Sequence, residues 1–145
     1  MKKTCAHEEY INTHGVCTMV DWDKFPNFSA NEFACQCCGE HGMRESFIEK
    51  LQALRTDYGH SMVISSGYRC KNHPIEARKA KPGAHESGRA ADIAIHGDQA
   101  LELLTLALES ADFTGVGVAQ KGDFGSRFIH LDDLEGGSRP TLWSY

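Results

Sequence analysis

A chain of 145 residues and 16.0 kDa is long enough for one domain with an ordinary hydrophobic core. Its 41% hydrophobic and 24% charged residues are typical of a globular protein, and a formal net charge of −5 argues against a general nucleic-acid binder. No apolar run is long enough to span a membrane, and the N-terminus lacks the apolar segment of a secretory signal. We therefore expect a chain made in the cytoplasm without an export signal, with neither nucleic acid nor membrane as its partner.

Residues 1–27 show no clear periodicity, and we expect them to form an extension packed on a main domain of residues 28–145. The extension contains four potential metal ligands, which are Cys5, His7, His14 and Cys17. Their spacing matches no zinc knuckle well. The favoured interpretation is therefore a loop or strand pair with reduced cysteines.

Ser29 and Glu32 have the spacing of a capping box, which predicts a short helix. A cysteine-rich turn follows it, and with one later residue the candidate thiols are Cys35, Cys37, Cys38 and Cys70. These thiols could bind a structural zinc ion, form one disulfide bridge, or act as small buried side chains that fix the loop. Because the chain has six cysteines and no secretory signal, thiols or metal ligands are favoured over a disulfide framework.

Apolar residues recur at helical spacing over residues 43–58 and predict an amphipathic helix that Gly59 ends. Its apolar stripe consists of Phe47, Ile48, Leu51 and Leu54. A short strand over residues 62–65 follows, and the next two residues turn the chain so that Arg69 is presented at the strand end. Arg69 begins a loop rich in basic residues, which would suit an anionic substrate such as a peptide with free carboxylates.

Residues 99–110 form a second predicted helix, capped by Asp98. Its predicted buried side consists of Leu101, Leu104 and Leu108, widened by Leu103 and Ala107. Two strands, residues 115–119 and 127–131, follow and are joined by a turn. The helices and the strands of the antiparallel sheet are segregated along the chain, which indicates an α+β domain. The tail is rich in turn residues. Trp143 could pack over the sheet or line the cleft, and core packing is its favoured role.

Three residues stand out as potential metal ligands, namely His85, Asp92 and His130. His85 and Asp92 lie seven residues apart, on a loop and on the strand that it enters, and His130 lies in a second strand-like segment. Two histidines and one carboxylate would leave a fourth position of Zn²⁺ open for water, which is typical of a catalytic site. The residues alone leave a structural role for these histidines open.

Three sequence blocks occur in a characteristic order. They are Ser65-Ser66-Gly67-Tyr68-Arg69-Cys70, His85-x-x-Gly88-x-Ala90-x-Asp92 and Phe128-Ile129-His130-Leu131-Asp132. Together with the segment that begins near Phe28, they resemble the zinc D-alanyl-D-alanine carboxypeptidase family of peptidoglycan metallopeptidases, which includes phage endolysins. Three blocks in order are far more specific than any one of them.

The resemblance implies an α+β fold of the hedgehog/DD-peptidase type, with a small central antiparallel sheet flanked by helices. It implies that His85, Asp92 and His130 bind Zn²⁺. It also implies that Arg69 holds a substrate carboxylate or stabilises the oxyanion formed at the attacked carbonyl.

The resemblance does not supply the general base, because some family members carry an acid three residues before the last ligand histidine, where this chain has Arg127. Asp132 and Asp123 are the remaining candidates. Asp132 is two residues after His130 and thus on the same strand face, where it could act as the base or orient the histidine. We favour Asp132 as a site residue and leave its role open.

The function that the resemblance implies is a monomeric zinc peptidase that hydrolyses an amide bond in the stem peptide of peptidoglycan. Without an export signal, it would wait in the host cytoplasm and act on the cell wall after release, as in phage lysis. Removal of the terminal D-alanine and endopeptidase cleavage both remain open. Two alternatives are a catalytically silent zinc-binding module of the same fold and a structural thiol or zinc protein centred on the cysteines.

Overall fold

The structure is a computed structural model, and it describes residues 20–145. The four potential metal ligands of the first 17 residues, for which a loop or strand pair with reduced cysteines was the favoured interpretation, lie outside the described range. The helices are α1 (Ala30–Phe33), α2 (Glu45–Tyr58) and α3 (Gly97–Ser110), and the strands are β1 (Val63–Ser66), β2 (Ala90–Ala94), β3 (Gly115–Ala119), β4 (Phe128–Asp132) and β5 (Thr141–Ser144). No helix in this part of the chain is long and apolar enough to cross a membrane.

The five strands form one sheet in the order β1-β2-β4-β3-β5. The pairs β1–β2, β2–β4 and β3–β4 are antiparallel, which confirms the predicted α+β class with its small central antiparallel sheet. The sequence did not predict β5, which lies at the edge of the sheet and pairs in parallel with β3. The tail is therefore part of the sheet and not only a turn-rich segment.

Alternate residues of the central strands point to opposite faces of the sheet. One face is apolar and joins the buried core with α2 and α3; its buried residues are Ala91, Ile93, Val116, Ile129 and Leu131. The other face carries polar and small residues at the alternate positions, such as Asp92 and His130. The helices therefore cover one face, and the opposite face is available for chemistry.

Helix α2 agrees with its prediction. The stripe of Phe47, Ile48, Leu51 and Leu54 is buried in the core. Gly59 follows the helix in the left-handed conformation, with φ of 77°, and its N–H donates to the carbonyl of Arg55 at 3.0 Å. The predicted capping box at α1 is confirmed as well, because the Glu32 carboxylate accepts the backbone N–H of Ser29 at 2.7 Å.

Helix α3 corrects two predictions. It begins at Gly97 with His96 as its N-cap, and Asp98 lies inside the first turn, where its carboxylate accepts the N–H of Gln99 at 2.9 Å. The buried side is the stripe of Ala100, Leu103 and Ala107, whereas Leu101 and Leu108 are 67% and 53% exposed. The helix carries leucines on two neighbouring stripes, and the stripe with small alanines allows the closer approach to the sheet and α2.

Candidate metal centre

One row of residues crosses all five strands on the face opposite the helices. Pairing aligns Ser66 with Asp92, Asp92 with His130, His130 with Gly117, and Gly117 with Trp143. Because paired residues of neighbouring strands point to the same side, the side chains of this row share one surface. The row places two of the three predicted metal ligands side by side.

The loop that enters β2 adds the third ligand. The donor atoms of His85, Asp92 and His130 all lie within 4.8 Å of one another, and all three side chains are buried. Asp92 Oδ1 is 3.2 Å from His85 Nε2 and 3.0 Å from His130 Nδ1. Tetrahedral zinc with bonds of about 2.0–2.1 Å would separate its ligand atoms by about 3.3 Å. The donor set and its spacing therefore fit Zn²⁺.

Each histidine has one ring nitrogen engaged by an acceptor on the side away from the cluster. His85 Nδ1 lies 2.7 Å from the carbonyl oxygen of Gly67, and His130 Nε2 lies 2.8 Å from Asp132 Oδ2. With the N–H of each histidine donated to these acceptors, His85 Nε2 and His130 Nδ1 would be the nitrogens left to coordinate a metal ion beside Asp92.

Asp132 is fully buried, and both of its carboxylate oxygens have partners. Arg139 donates from Nε to Oδ1 at 2.9 Å and from Nη2 to Oδ2 at 2.7 Å, and His130 uses the same Oδ2. Burial alone would raise the pKa of Asp132, but the hydrogen bonds from His130 and Arg139 outweigh it and hold the pKa well below its usual range. Gly115 makes room for this ion pair, because a Cβ there would collide with the Asp132 carboxylate.

Arg69 lies beside the cluster, on the segment that follows β1. Its Nη2 is 3.3 Å from Asp92 Oδ2, its Nε donates to Ser66 Oγ at 3.1 Å, and its Nη1 is 3.6 Å from Glu76 Oε1. Asp92 thus directs one oxygen toward the histidines and the other toward Arg69. Glu76 is a buried acid that the sequence did not single out, since it lies in a loop dominated by basic residues.

The structure does not place Trp143 in the hydrophobic core, which was its favoured position. It is half-buried on β5, and its ring centroid lies 5.1 Å from that of His130 and 5.1 Å from the guanidinium carbon of Arg139. Gly117 allows this position, because a Cβ there would come within 2.7 Å of the indole. Trp143 therefore forms a wall of the candidate metal centre.

Asp123 and Arg127 both lie at the turn before β4. Asp123 is exposed and precedes a single 3-10 turn, Phe124–Ser126. Arg127 donates to the carbonyl of Gly122 at 3.0 Å and lies 4.7 Å from the ring centre of Phe124. Within residues 20–145, Asp92 and Asp132 are the only acids that form hydrogen bonds or ion pairs with His85 or His130.

Comparison with known families gives one match. The family model described as Peptidase M15 matches residues 26–132. The match covers more than two thirds of the chain and includes all three cluster residues, whereas Arg139 and Trp143 lie beyond it. No curated protein matches the sequence significantly.

Proposed function

Because the chain belongs to the peptidase M15 family, whose members resemble zinc D-alanyl-D-alanine carboxypeptidases, we propose that it is a zinc peptidase acting on the stem peptide of peptidoglycan. The observation that supports this proposal most is the convergence of three buried donor atoms on one point. In this proposal His85 Nε2, Asp92 Oδ1 and His130 Nδ1 hold the zinc ion. Bound zinc would lower the pKa of a coordinated water and polarise the amide carbonyl.

The side chains around the cluster take distinct roles in this proposal. Arg69 provides a guanidinium beside Asp92, where it would bind a substrate carboxylate or the developing oxyanion. Trp143 would pack against the substrate at the opposite side, next to His130.

We assign Asp132 a positioning role and not that of the general base. A base must offer a lone pair to the attacking water. The Asp132 carboxylate is buried and already accepts hydrogen bonds from His130 and Arg139. Its contribution is to keep the proton on His130 Nε2 and so direct the Nδ1 lone pair toward the metal.

The Asp132→Asn variant tests this role. The amide would turn a donor toward either His130 or Arg139, and we expect the zinc affinity to fall by about 10–100-fold. The neighbouring Asp133 offers a matched control, because it is also buried and pairs with Arg89 at 2.8 Å and Lys50 at 2.8 Å. Zinc affinity is measured by competition with a chelator. If the Asp132→Asn protein binds zinc as tightly as the Asp133→Asn protein, the positioning role is refuted.

Phage lysis is the biological setting that we propose, and its support is the resemblance of the three sequence blocks to a family that includes endolysins. In that setting the enzyme acts on the wall after release from the producing cell. Either a terminal D-alanine or an internal bond of the stem peptide would be cut.

The test of the proposed function is mass spectrometry of purified peptidoglycan fragments incubated with the zinc-loaded protein, beside a sample treated with chelator. We expect free alanine or a shortened stem peptide only in the zinc-loaded sample, and the product identifies the bond. If no fragment is cut, the peptidase proposal fails. In that case the catalytically silent binding module gains support, since Arg127 stands where some relatives carry an acid.

A further inference from the structure

A second cluster of potential metal ligands lies away from the histidines. The sulfur atoms of Cys35, Cys38 and Cys70 all lie within 4.8 Å of one another, and all three are free cysteines. Cys35 and Cys38 belong to the turn that follows α1, and Cys70 comes directly after Arg69. Two segments about thirty residues apart in sequence thus bring three thiols to one point.

The turn has the backbone features that present two thiols on the same side. Gly39 has φ of 77°, and its N–H donates to the carbonyl of Cys35 at 2.7 Å. Cys35 and Cys38 are separated by two residues, which is the spacing of paired cysteine ligands in zinc sites. The tight reversal of the chain at this glycine keeps both sulfur atoms near Cys70.

A backbone N–H group points at the sulfur of Cys35. The N–H of Cys70 donates to this sulfur at 3.3 Å. Such a donor stabilises a thiolate, whereas a neutral disulfide sulfur is a weak acceptor. The backbone around Cys35 therefore suits a thiolate ligand.

We propose that Cys35, Cys38 and Cys70 bind a structural Zn²⁺ ion, separate from the ion held by the histidines. Three converging thiols match the preference of zinc for soft thiolate ligands, and one disulfide bridge would leave the third thiol without a partner. Cys38 is exposed, so the three-thiol cluster can be reached from solvent. The proposal does not depend on peptidase activity.

This ion would connect the turn after α1 to the segment that supports the first metal centre. In that segment the carbonyl of Gly67 accepts a hydrogen bond from His85, and the N–H of Arg69 donates to the carbonyl of His85 at 3.2 Å. Cys70 is the next residue after Arg69. A metal at the thiols would therefore restrict the backbone that positions both His85 and Arg69.

Metal counting on single variants tests this site. The full chain is purified with reductant, loaded with Zn²⁺ and analysed by elemental mass spectrometry. We expect Cys38→Ser to lose one zinc equivalent relative to the parent protein. Cys37→Ser is the matched control, because Cys37 is adjacent and also exposed but lies outside the three-thiol cluster, and it should keep that equivalent. Metal bound elsewhere in the chain contributes equally to both variants, so the difference in their zinc content reports the three-thiol cluster.

Cobalt substitution gives a second readout. Co²⁺ bound by thiolates absorbs strongly in the near ultraviolet, and this absorption should vanish in Cys38→Ser and persist in His85→Ala. Equal zinc content in Cys38→Ser and the parent protein would overturn the proposal, and so would equal loss in both cysteine variants. A disulfide between any two of the three cysteines in protein purified without reductant would overturn it as well. None of these results depends on cleavage of peptidoglycan, so failure of this site and failure of the proposed function are distinguishable.

Discussion

Replacement of His130 by alanine should abolish amide hydrolysis and remove one zinc equivalent per chain. The variant deletes the Nδ1 ligand atom 3.0 Å from Asp92 and also leaves Asp132 without its imidazole partner. Loss of a residue that only hydrogen-bonds to a metal ligand costs about 10–100-fold in metal affinity. Loss of the ligand itself should therefore lower the zinc affinity by more than about 100-fold. The checks are zinc content by elemental analysis and turnover of a peptidoglycan fragment.

The control for this prediction is His60→Ala. His60 is exposed and packs its ring edge against Tyr58, with a centroid distance of 5.0 Å. That variant should keep both its zinc and its activity. Full hydrolysis by the His130→Ala protein would contradict the assigned metal centre, whatever its zinc content.

Replacement of Arg69 by alanine should leave the zinc in place and reduce kcat by about 10²–10³-fold, the usual effect of removing one group that stabilises a developing oxyanion. Arg69→Lys should recover little of this loss, because a lysine cannot reproduce the planar guanidinium that contacts both Ser66 and Asp92. The measurement is kcat and KM on a defined stem peptide together with zinc content.

Arg78→Ala is the matched control, since Arg78 lies on the same loop, is exposed and donates to the carbonyl of Pro74. It should show normal kcat. If Arg69→Ala loses its zinc together with its activity, the arginine acts by holding Asp92 in place and does not contact the substrate. An increase in KM alone would instead identify binding of a substrate carboxylate.

The parts of the fold that the sequence predicted depend on local signals. Helix α2 has an uninterrupted apolar stripe and a left-handed glycine at its end, so helical periodicity alone predicts it. Strands β3 and β4 are short apolar runs separated by a turn, and antiparallel neighbours of this kind pair locally. The conformation of each of these elements is set within about fifteen residues.

The parts that the sequence did not predict depend on contacts between distant segments. Strand β5 has four residues and pairs in parallel with β3, which no local pattern indicates. That pairing brings Trp143 to His130, and the turn before it brings Arg139 to Asp132. On α3, Leu103 and Ala107 are buried as predicted, whereas the predicted Leu101 and Leu108 are exposed. Apolar residues occur all round this helix, so only packing decides which of them are buried.

The row of paired residues across the sheet has a consequence for folding. A slip of β4 by one residue relative to β2 would turn His130 to the helix-covered face and expose Ile129 beside Asp92. The two ligands would then lie on opposite faces, and no metal ion could bridge them. Zinc held by Asp92 and His130 would therefore stabilise only the native register. The stabilisation is about 4 kcal/mol at a free zinc concentration 1,000 times the Kd. The metal would thus act as a selector of strand alignment during folding, besides its part in chemistry.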